Sequence, residues 1–289
     1  MIRCLSFHAP YRCRHAGACC RAGWTIAFDP VEYARARRLA GTRGTFVRLR
    51  DGGATAARQD DGICTFFDTD SGLCGIHRAG GHAALPLACR MFPRSVLHDP
   101  RGTFVSLSHF CPTAAALLFE PGPPAAIVDA PAALADVGPL DGLDAREAWP
   151  PLLRPGVLMD VESYGAWERQ GIDLLTRDGV PARDSLAALE DVTTRIARWS
   201  PGEPLGRVVH DAFERAAPGA AALASHDAAV KRWLAARLFA CWVAYQGHGL
   251  AAIVGHLRKC LTIFTLELAR DDNPLEAIRR SDLQIMHAP

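Results

Sequence analysis

Lysine is nearly missing from this sequence of 289 residues, in which only Lys231 and Lys259 accompany the arginines. The formal net charge is +1, and the basic residues form no run. A protein that binds nucleic acid needs a basic surface to neutralise phosphates. We therefore predict that the chain has no nucleic-acid partner.

An apolar run is also missing from the first residues, MIRCLSFHAPYRC, so we expect no secretory leader. The most apolar segment begins at Leu234, but Arg237, Gln246, His248 and His256 interrupt it. This pattern predicts a pair of buried helices and not a membrane span. We expect a cytoplasmic protein without a membrane partner. Disulfides are rare in that reducing compartment, so ten cysteines favour metal or cluster binding.

Several familiar motifs are missing as well. No two cysteines have the C-x2-C spacing of zinc fingers, and the C-x2-C-x2-C run of bacterial ferredoxins is not found. Spacing alone therefore does not identify the metal. The C-x3-C-x2-C motif of radical-SAM enzymes and a glycine-rich loop after a strand are also not found. The residues by themselves thus support a bound metal and contain no motif that would hold S-adenosylmethionine.

Cysteine is present in quantity, and its distribution is uneven. Eight of the ten cysteines lie within the first 111 residues. Thiolates bind zinc and iron–sulfur clusters because sulfur is soft and its negative charge offsets that of the metal. The remaining two, Cys241 and Cys260, lie in apolar helical segments, where cysteine acts as a small hydrophobe. We interpret those two as core residues.

The chain divides into three predicted parts. Residues 1–120 form a cysteine-cluster metal-binding module, residues 121–156 a linker rich in Pro, Ala and Gly, and residues 157–289 a helical domain. Apolar residues of the last part recur every three or four positions. Helices are predicted over 160–177, 184–199, 204–216, 227–246, 249–271 and 274–282.

The predicted fold class is mainly α, with a cysteine-rich module of little strand packed on a C-terminal helical bundle. Strand alternation is scarce, and its best example is RGTFVSLSHF from Arg101. A small hairpin is expected near residues 46–50 and 103–108. In the segment FDPVEY, Asp29 and Glu32 are typical of a helix start, where acidic groups favour the positive end of the helix dipole.

Three blocks of the sequence resemble a known family. CRHAGACCRAGWTIAFD, GICTFFDTDSGLCGIHRAGGHAALPLACRMFPR and SLSHFCPTAAALL are similar to successive blocks of the YkgJ family, the zinc- or iron-chelating cysteine-cluster proteins. The resemblance is strongest to its flagellin lysine N-methylase branch. Five features match: the doublet Cys19-Cys20 followed by Gly23-Trp24, a Cys-aromatic turn at Cys64, a Cys-x-Ile at Cys74, the run from Cys89 to Arg94, and the run from Ser106 to Pro112.

One interval departs from the family pattern. Relatives carry a further cysteine between the first cysteine and the doublet, whereas Ala16 or a neighbour occupies that place here. Three alternatives stay open: Cys4 substitutes from upstream, His15 substitutes, or the site needs no replacement.

The resemblance implies an iron–sulfur cluster, of the [4Fe-4S] type, with zinc as the alternative. In the methylase branch it also implies methyl transfer from S-adenosylmethionine to lysine side chains of a protein substrate such as flagellin. The alternative function is a non-catalytic metal-binding protein in which the metal is structural, sensed or carried. No catalytic residue and no residue that binds S-adenosylmethionine is assigned.

Seven cysteines are the predicted metal ligands. One tetrahedral site or one cubane takes four thiolates, so some of the seven lie outside the first coordination sphere or there are two centres. Adjacent cysteines rarely form a disulfide with each other, and a doublet whose side chains point apart would serve two irons or two sites. The predicted ligands are Cys13, Cys19, Cys20, Cys64, Cys74, Cys89 and Cys111.

Other residues near the cysteines are also candidates for a role at the metal site. Four histidines, each more often a surface or hydrogen-bonded residue, are candidates for a mixed site: His77, His82, His98 and His109. Arg90 and Arg94 would compensate the charge of a cluster, bind a carboxylate, or form surface salt bridges. Trp24 is expected to be a core residue that shields the metal from water.

Overall fold

The structure is a computed structural model of the chain. It describes residues 1–41, 45–135, 140–217, 219 and 222–287, and only the helical backbone of residues 286 and 287. Helices account for 48% and strands for 15% of the residues, which confirms the mainly helical class. Among the described residues, no helix combines the length and the apolar character that crossing a membrane requires.

The helices of the first half of the chain are mostly short, whereas those of the second half are long. The short set comprises α1 (Ala18–Arg21), α2 (Pro30–Ala40), α3 (Gly75–Gly80), α4 (Leu87–Met91), α5 (Pro112–Leu117) and α6 (Ala132–Ala135). The long set comprises α7 (Val161–Leu175), α8 (Ala182–Ile196), α9 (Leu205–Glu214), α10 (Asp227–Leu238), α11 (Leu250–Asp271) and α12 (Pro274–His287). Short 3-10 helices span Ser6–His8, His82–Ala84 and Trp242–Tyr245.

Five of the six predicted long helices are observed with ends shifted by a few residues, and one is shorter than predicted. The helix predicted over 227–246 ends at Leu238, and Phe239 is extended. Ala240 then has a positive φ of 53°, and its amide donates to the buried Glu168 Oε1 at 2.9 Å. A tertiary hydrogen bond therefore replaces the next helical one, and the chain continues as the 3-10 helix at Trp242–Tyr245.

The strands form four small sheets. They are β1 (Ile2–Leu5), β2 (Ala27–Phe28), β3 (Phe46–Arg48), β4 (Ala54–Ala56), β5 (Phe67–Asp68), β6 (Leu73–Cys74), β7 (Arg94–Asp99), β8 (Gly102–Leu107), β9 (Ile127–Asp129), β10 (Leu143–Asp144), β11 (Leu152–Arg154) and β12 (Val157–Leu158). The largest sheet has the order β10-β7-β8-β1-β9, and a second has the order β2-β4-β3. The pairs β5-β6 and β11-β12 complete the set.

The hairpin expected between residues 46–50 and 103–108 is not observed. Both predicted segments contain a strand, but β3 pairs with β4, and β8 pairs antiparallel with β7 and parallel with β1. The β7-β8 hairpin turns between Asp99 and Gly102, with Val96 opposite Val105. The module thus contains more strand than the sequence indicates, because these strands are short and find partners far along the chain.

Two strands of the large sheet come from residues 121–156, which the sequence predicts as a linker. Strand β9 pairs with β1, and β10 pairs with β7, so this segment supplies both edges of the sheet. Residues 136–139 of the segment lie outside the described residues. The boundaries of the three predicted parts stay a prediction.

The main core joins the sheet to the long helices. Leu5, Leu97 and Phe104 of the sheet belong to the same buried cluster as Trp167 of α7 and Trp233 of α10. A second apolar cluster surrounds the cysteines. It contains Ile26, Phe28, Phe66 and Ile76 together with Cys20 and Cys64.

A buried ionic network holds the β7-β8 turn against the helices. Arg101 Nη2 lies 2.7 Å from Asp99 Oδ2, and Arg101 Nη1 lies 2.6 Å from Glu168 Oε2 of α7. The Tyr245 hydroxyl donates to Asp99 Oδ2 at 2.8 Å. Each carboxylate therefore has a cationic partner inside the protein, as buried charges require.

Candidate metal centre

Short helices and turns place the predicted cysteines. Cys19 and Cys20 lie in α1, Cys89 lies in α4, and Cys13 lies in the irregular segment that precedes α1. Cys74 and Cys111 occupy the N-cap positions of α3 and α5. Gly17 begins α1 with a positive φ of 68°, and a Cβ atom there would overlap the Phe67 ring. This glycine therefore lets the doublet approach the β5-β6 hairpin closely.

Four cysteines pack together in the second apolar cluster and form the four-thiol group, defined here as Cys19, Cys20, Cys64 and Cys74. Interaction with the side chains of the other three raises the pKa of Cys20 well above its usual value. The backbone reinforces the contact, because the Cys64 amide donates to the Cys20 carbonyl oxygen at 3.0 Å. In the described ranges, no group of three or more His, Cys, Asp or Glu side chains is arranged so that it could hold a metal ion.

Hydrogen bonding changes the proton affinity within the four-thiol group. The bond to Cys20 lowers the pKa of Cys19, Cys64 and Cys74, and the same bonds raise the pKa of Cys20. Backbone N–H groups of Ile76 and His77 also donate to the Cys74 sulfur and lower its pKa. Amide donors of this kind stabilise thiolates, the form that binds metals.

Cys89 lies beside the four-thiol group. Burial raises its pKa well above the usual value, and the nearby Cys19, Cys74 and Cys64 raise it further. A neutral thiol is the stable form of such a buried cysteine when no cation is near it.

Cys13 and Cys111 form a separate pair. Burial raises the pKa of Cys111, and the nearby Cys13 adds to that rise, while amides of Ala114 and Thr113 donate to its sulfur and oppose it. The Tyr11 hydroxyl lies 3.9 Å from Cys111 Sγ. Cys13 itself is exposed, and its Sγ lies 3.9 Å from His15 Nδ1.

A cavity of about 70 Å³ lies between the two sets of cysteines. Three histidines, His15, His77 and His82, also line it. Six of the seven predicted ligands line this cavity, and Cys64 adjoins it through Cys20: Cys13, Cys19, Cys20, Cys74, Cys89 and Cys111. The structure thus brings all seven into one region: the four-thiol group with Cys89 beside it, and the pair of Cys13 and Cys111.

The other cysteines lie elsewhere. Cys4 is fully buried in β1, outside the lining of the cavity, and burial raises its pKa to about 11. It is therefore poorly placed to replace the missing family cysteine. Cys241 and Cys260 are buried among the helices, as predicted. All ten cysteines are free thiols.

The candidate histidines fall into two groups. His77 lines the cysteine cavity, with its ring centroid 4.1 Å from that of His15 and 6.1 Å from that of His82. His98 and His109 do not line it. His98 hydrogen-bonds to Thr103 Oγ1 and to the Leu140 carbonyl oxygen, both at 2.9 Å.

His109 instead pairs with a residue that the sequence analysis did not single out. Its Nε2 lies 3.1 Å from Nε2 of His8, and both imidazoles are fully buried. No motif joins residues 101 positions apart, so the sequence contains no signal for this pair.

The two candidate arginines are both engaged in the module. Arg94 donates to the carbonyl oxygens of Leu134, Ala133 and Arg90 at 2.7–3.1 Å. Arg90 Nη2 lies 3.4 Å from Glu32 Oε1. Trp24 packs edge-on against Phe92, with ring centroids 4.8 Å apart.

A larger cavity, of about 690 Å³, lies between the module and the long helices. Two buried donors at its wall have no hydrogen-bond partner in the described part of the chain: Trp24 Nε1 and Arg237 Nε. Arg237 Nη2 lies 3.1 Å from the buried Asp282 Oδ1. Residues from both sides line the cavity, including Trp24, Phe92, Arg94, Arg237, Trp242 and Lys259.

Fold and site together describe a cysteine-cluster protein with a mainly helical second half. Residues 12–112 match the family model CxxCxxCC, described as "Putative zinc- or iron-chelating domain". The match covers about a third of the chain, and it contains all seven predicted ligands. No curated protein and no solved structure matches the chain.

Proposed function

We propose that the chain binds an iron–sulfur cluster, with zinc as the alternative metal, through Cys13, Cys19, Cys20, Cys64, Cys74, Cys89 and Cys111. The gathering of these cysteines in one apolar cluster and around one small cavity carries the proposal. Four thiolates are the donor set of a tetrahedral zinc site and of one [4Fe-4S] cubane. In this proposal helices α7 to α12 form a bundle that supports the module.

The donor chemistry of the site fits an iron–sulfur cluster or a zinc ion. The four-thiol group is mostly buried, and amides of Phe66, Ile76 and His77 donate to its sulfurs. Hydrogen bonds to ligand sulfurs stabilise the negative charge of a cluster and tune its potential. A bound cluster would supply electron transfer or a Lewis-acidic iron. The chain's own contribution is to exclude water, through Trp24 and Phe92, and to hold the thiolates together.

We further propose that the larger cavity is the site of methyl transfer from S-adenosylmethionine to a lysine of a protein substrate such as flagellin. The orphan Arg237 Nε suits the carboxylate of the methyl donor, and Trp24 and Trp242 offer apolar surface to its adenosyl part. A neutral lysine amine attacks the methyl carbon, the carbon–sulfur bond breaks, and S-adenosylhomocysteine leaves. The methylated amine then loses a proton to solvent.

The metal is tested by anaerobic purification. We expect brown protein whose visible absorption is bleached by dithionite, and Cys20→Ser should lose it. Cys4→Ser is the matched control, because Cys4 is equally buried in the same part of the chain but lies outside the cavity lining. Colourless protein with stoichiometric zinc would establish zinc instead of iron, and a wild type without bound metal would refute the proposal.

The activity is tested by anaerobic incubation with labelled S-adenosylmethionine and the host proteome. Label on a protein lysine that is lost with Cys20→Ser supports the methyltransferase. An intact cluster without transferred label supports the non-catalytic alternative, in which the metal is structural, sensed or carried. Calorimetry with S-adenosylmethionine separates failure to bind the donor from absence of the protein substrate.

A further inference from the structure

The first cysteine motif of this chain is incomplete. The family pattern C-x2-C-x2-C-C falls on Cys13, Ala16, Cys19 and Cys20, so alanine occupies its second cysteine position. A methyl side chain cannot ligate a metal. The family's donor count is preserved only if a neighbouring side chain takes this place.

His15 is placed for that role. Its Nδ1 lies 3.9 Å from Cys13 Sγ, and its ring lines the cysteine cavity. In a tetrahedral site, a metal–sulfur bond of about 2.3 Å and a metal–nitrogen bond of about 2.05 Å put the two ligand atoms about 3.6 Å apart. The observed separation is close to that value, so one metal ion can bind both atoms with little movement.

The backbone at His15 also departs from ordinary preference. Its φ is +56°, in the left-handed region that residues with a Cβ atom seldom adopt. This conformation turns the imidazole back towards Cys13 two residues earlier and against the His77 ring. Unusual backbone conformations are concentrated at binding sites, where the surroundings determine them.

We infer that the His15 imidazole is a metal ligand beside the Cys13 thiolate and replaces the family's second cysteine. The inference rests on the proposed metal binding and specifies its ligands: a mixed thiolate–imidazole set for zinc or iron. An imidazole is neutral where a thiolate is negative, so the centre carries one negative charge fewer. On iron, such a replacement raises the reduction potential.

Cobalt(II) titration of the apoprotein under anaerobic conditions tests the inference, because thiolate-to-cobalt and ligand-field bands report the ligand set. The variant is His15→Asn, since asparagine tolerates positive φ and adds no strain. We expect at least tenfold weaker binding of one cobalt ion and altered ligand-field bands. The double variant His15→Asn/Ala16→Cys should restore the affinity with stronger thiolate-to-cobalt absorption.

His248→Asn is the control, because His248 is exposed and does not line the cysteine cavity, so this variant should leave binding unchanged. Unaltered affinity and spectrum in His15→Asn would overturn the assignment of His15 while the metal site itself stands. A wild type that binds no cobalt would overturn the proposed metal binding and the ligand assignment with it. Circular dichroism of each variant verifies that the helices are retained.

Discussion

At the scale of single residues, Glu32 connects two helices of the module. Its Oε2 accepts from the Asp29 amide at 3.2 Å and closes the capping box of α2. Its Oε1 accepts from the Leu87 amide at 2.8 Å, at the start of α4, which carries Cys89. Glu32 is therefore a positioning residue for a candidate ligand.

Glu32→Gln should destabilise the protein by about 1–3 kcal/mol, because one buried amide then faces an NH2 group and not an acceptor. Urea denaturation measures this change. Glu162→Gln is the control, since Glu162 occupies the first turn of α7 but is exposed, and it should cost less than about 0.5 kcal/mol. Equal effects of the two substitutions would contradict the role of Glu32.

His256 makes the stability depend on pH. Burial, together with the nearby Arg237 and Lys259, lowers its pKa to about 4. The unfolded chain takes up this proton below about pH 6.5, whereas the folded protein does so only near pH 4, so the stability should fall as the pH drops between these values. The slope from this group reaches about 1.4 kcal/mol per pH unit. His256→Gln should flatten the profile in chemical denaturation, and an unchanged slope would contradict the assignment.

At the scale of elements, the Arg101 network is a buried ionic contact between the large sheet and the long helices. Arg101→Met would leave the carboxylates of Asp99 and Glu168 buried without their cation. The loss should be about 3–5 kcal/mol, the cost of breaking a buried ion pair from one side. Thermal and urea unfolding measure it.

The exposed pair Arg146–Asp144 provides the comparison. Its side chains are 65% and 51% exposed, against 13% for Arg101. Arg146→Met should therefore cost less than about 1 kcal/mol. If Arg101→Met proved as mild, the network would not be what joins the sheet to the helices.

Elements of the two halves differ in how far the sequence predicts them. The long helices follow a local apolar period, and Asn273 marks the start of α12, where its Oδ1 accepts from the Glu276 amide at 3.2 Å. The large sheet has no comparable local signal, because β1 and β9 pair across more than 120 residues and most strands are short. The early end of α10 was also unpredictable, since the Glu168 carboxylate that binds the Ala240 amide comes from another helix.

At the candidate site, too, the sequence predicts which residues take part but not how they are grouped in space. Residue type and clustering along the chain pointed to the seven cysteines that the structure gathers. Their separation into the four-thiol group and the Cys13–Cys111 pair depends on how α1, α3 and α5 pack, which spacing does not encode. Both cysteines of the doublet line the cavity, and Cys19, Cys64 and Cys74 together raise the pKa of Cys20.

At the scale of the whole molecule, we expect the stability of the two apolar clusters to depend on the metal to different extents. The main core contains the large aromatic side chains of the long helices and the central strands. The cluster around the cysteines is smaller, and it is surrounded by helices of four to six residues and strands of two or three, with α2 as the long exception. Small apolar clusters with short elements depend on cross-links or metals for stability.

Metal removal should therefore loosen the short elements around the cysteines and leave the long helices intact. We expect hydrogen exchange in the apoprotein to accelerate at least tenfold at amides of α1, α3 and the β5-β6 hairpin, because ligand binding stabilises the folded state by mass action. Amides of α7 and α11 should exchange equally in the apo and loaded forms, since their core contains no candidate ligand. Reconstitution with the metal should restore protection in the wild type but not in Cys20→Ser, and Cys4→Ser should behave like the wild type. Uniform acceleration over both halves would show instead that the metal supports a single cooperative unit, and unchanged exchange in residues 12–112 would show that the cysteine region folds without it.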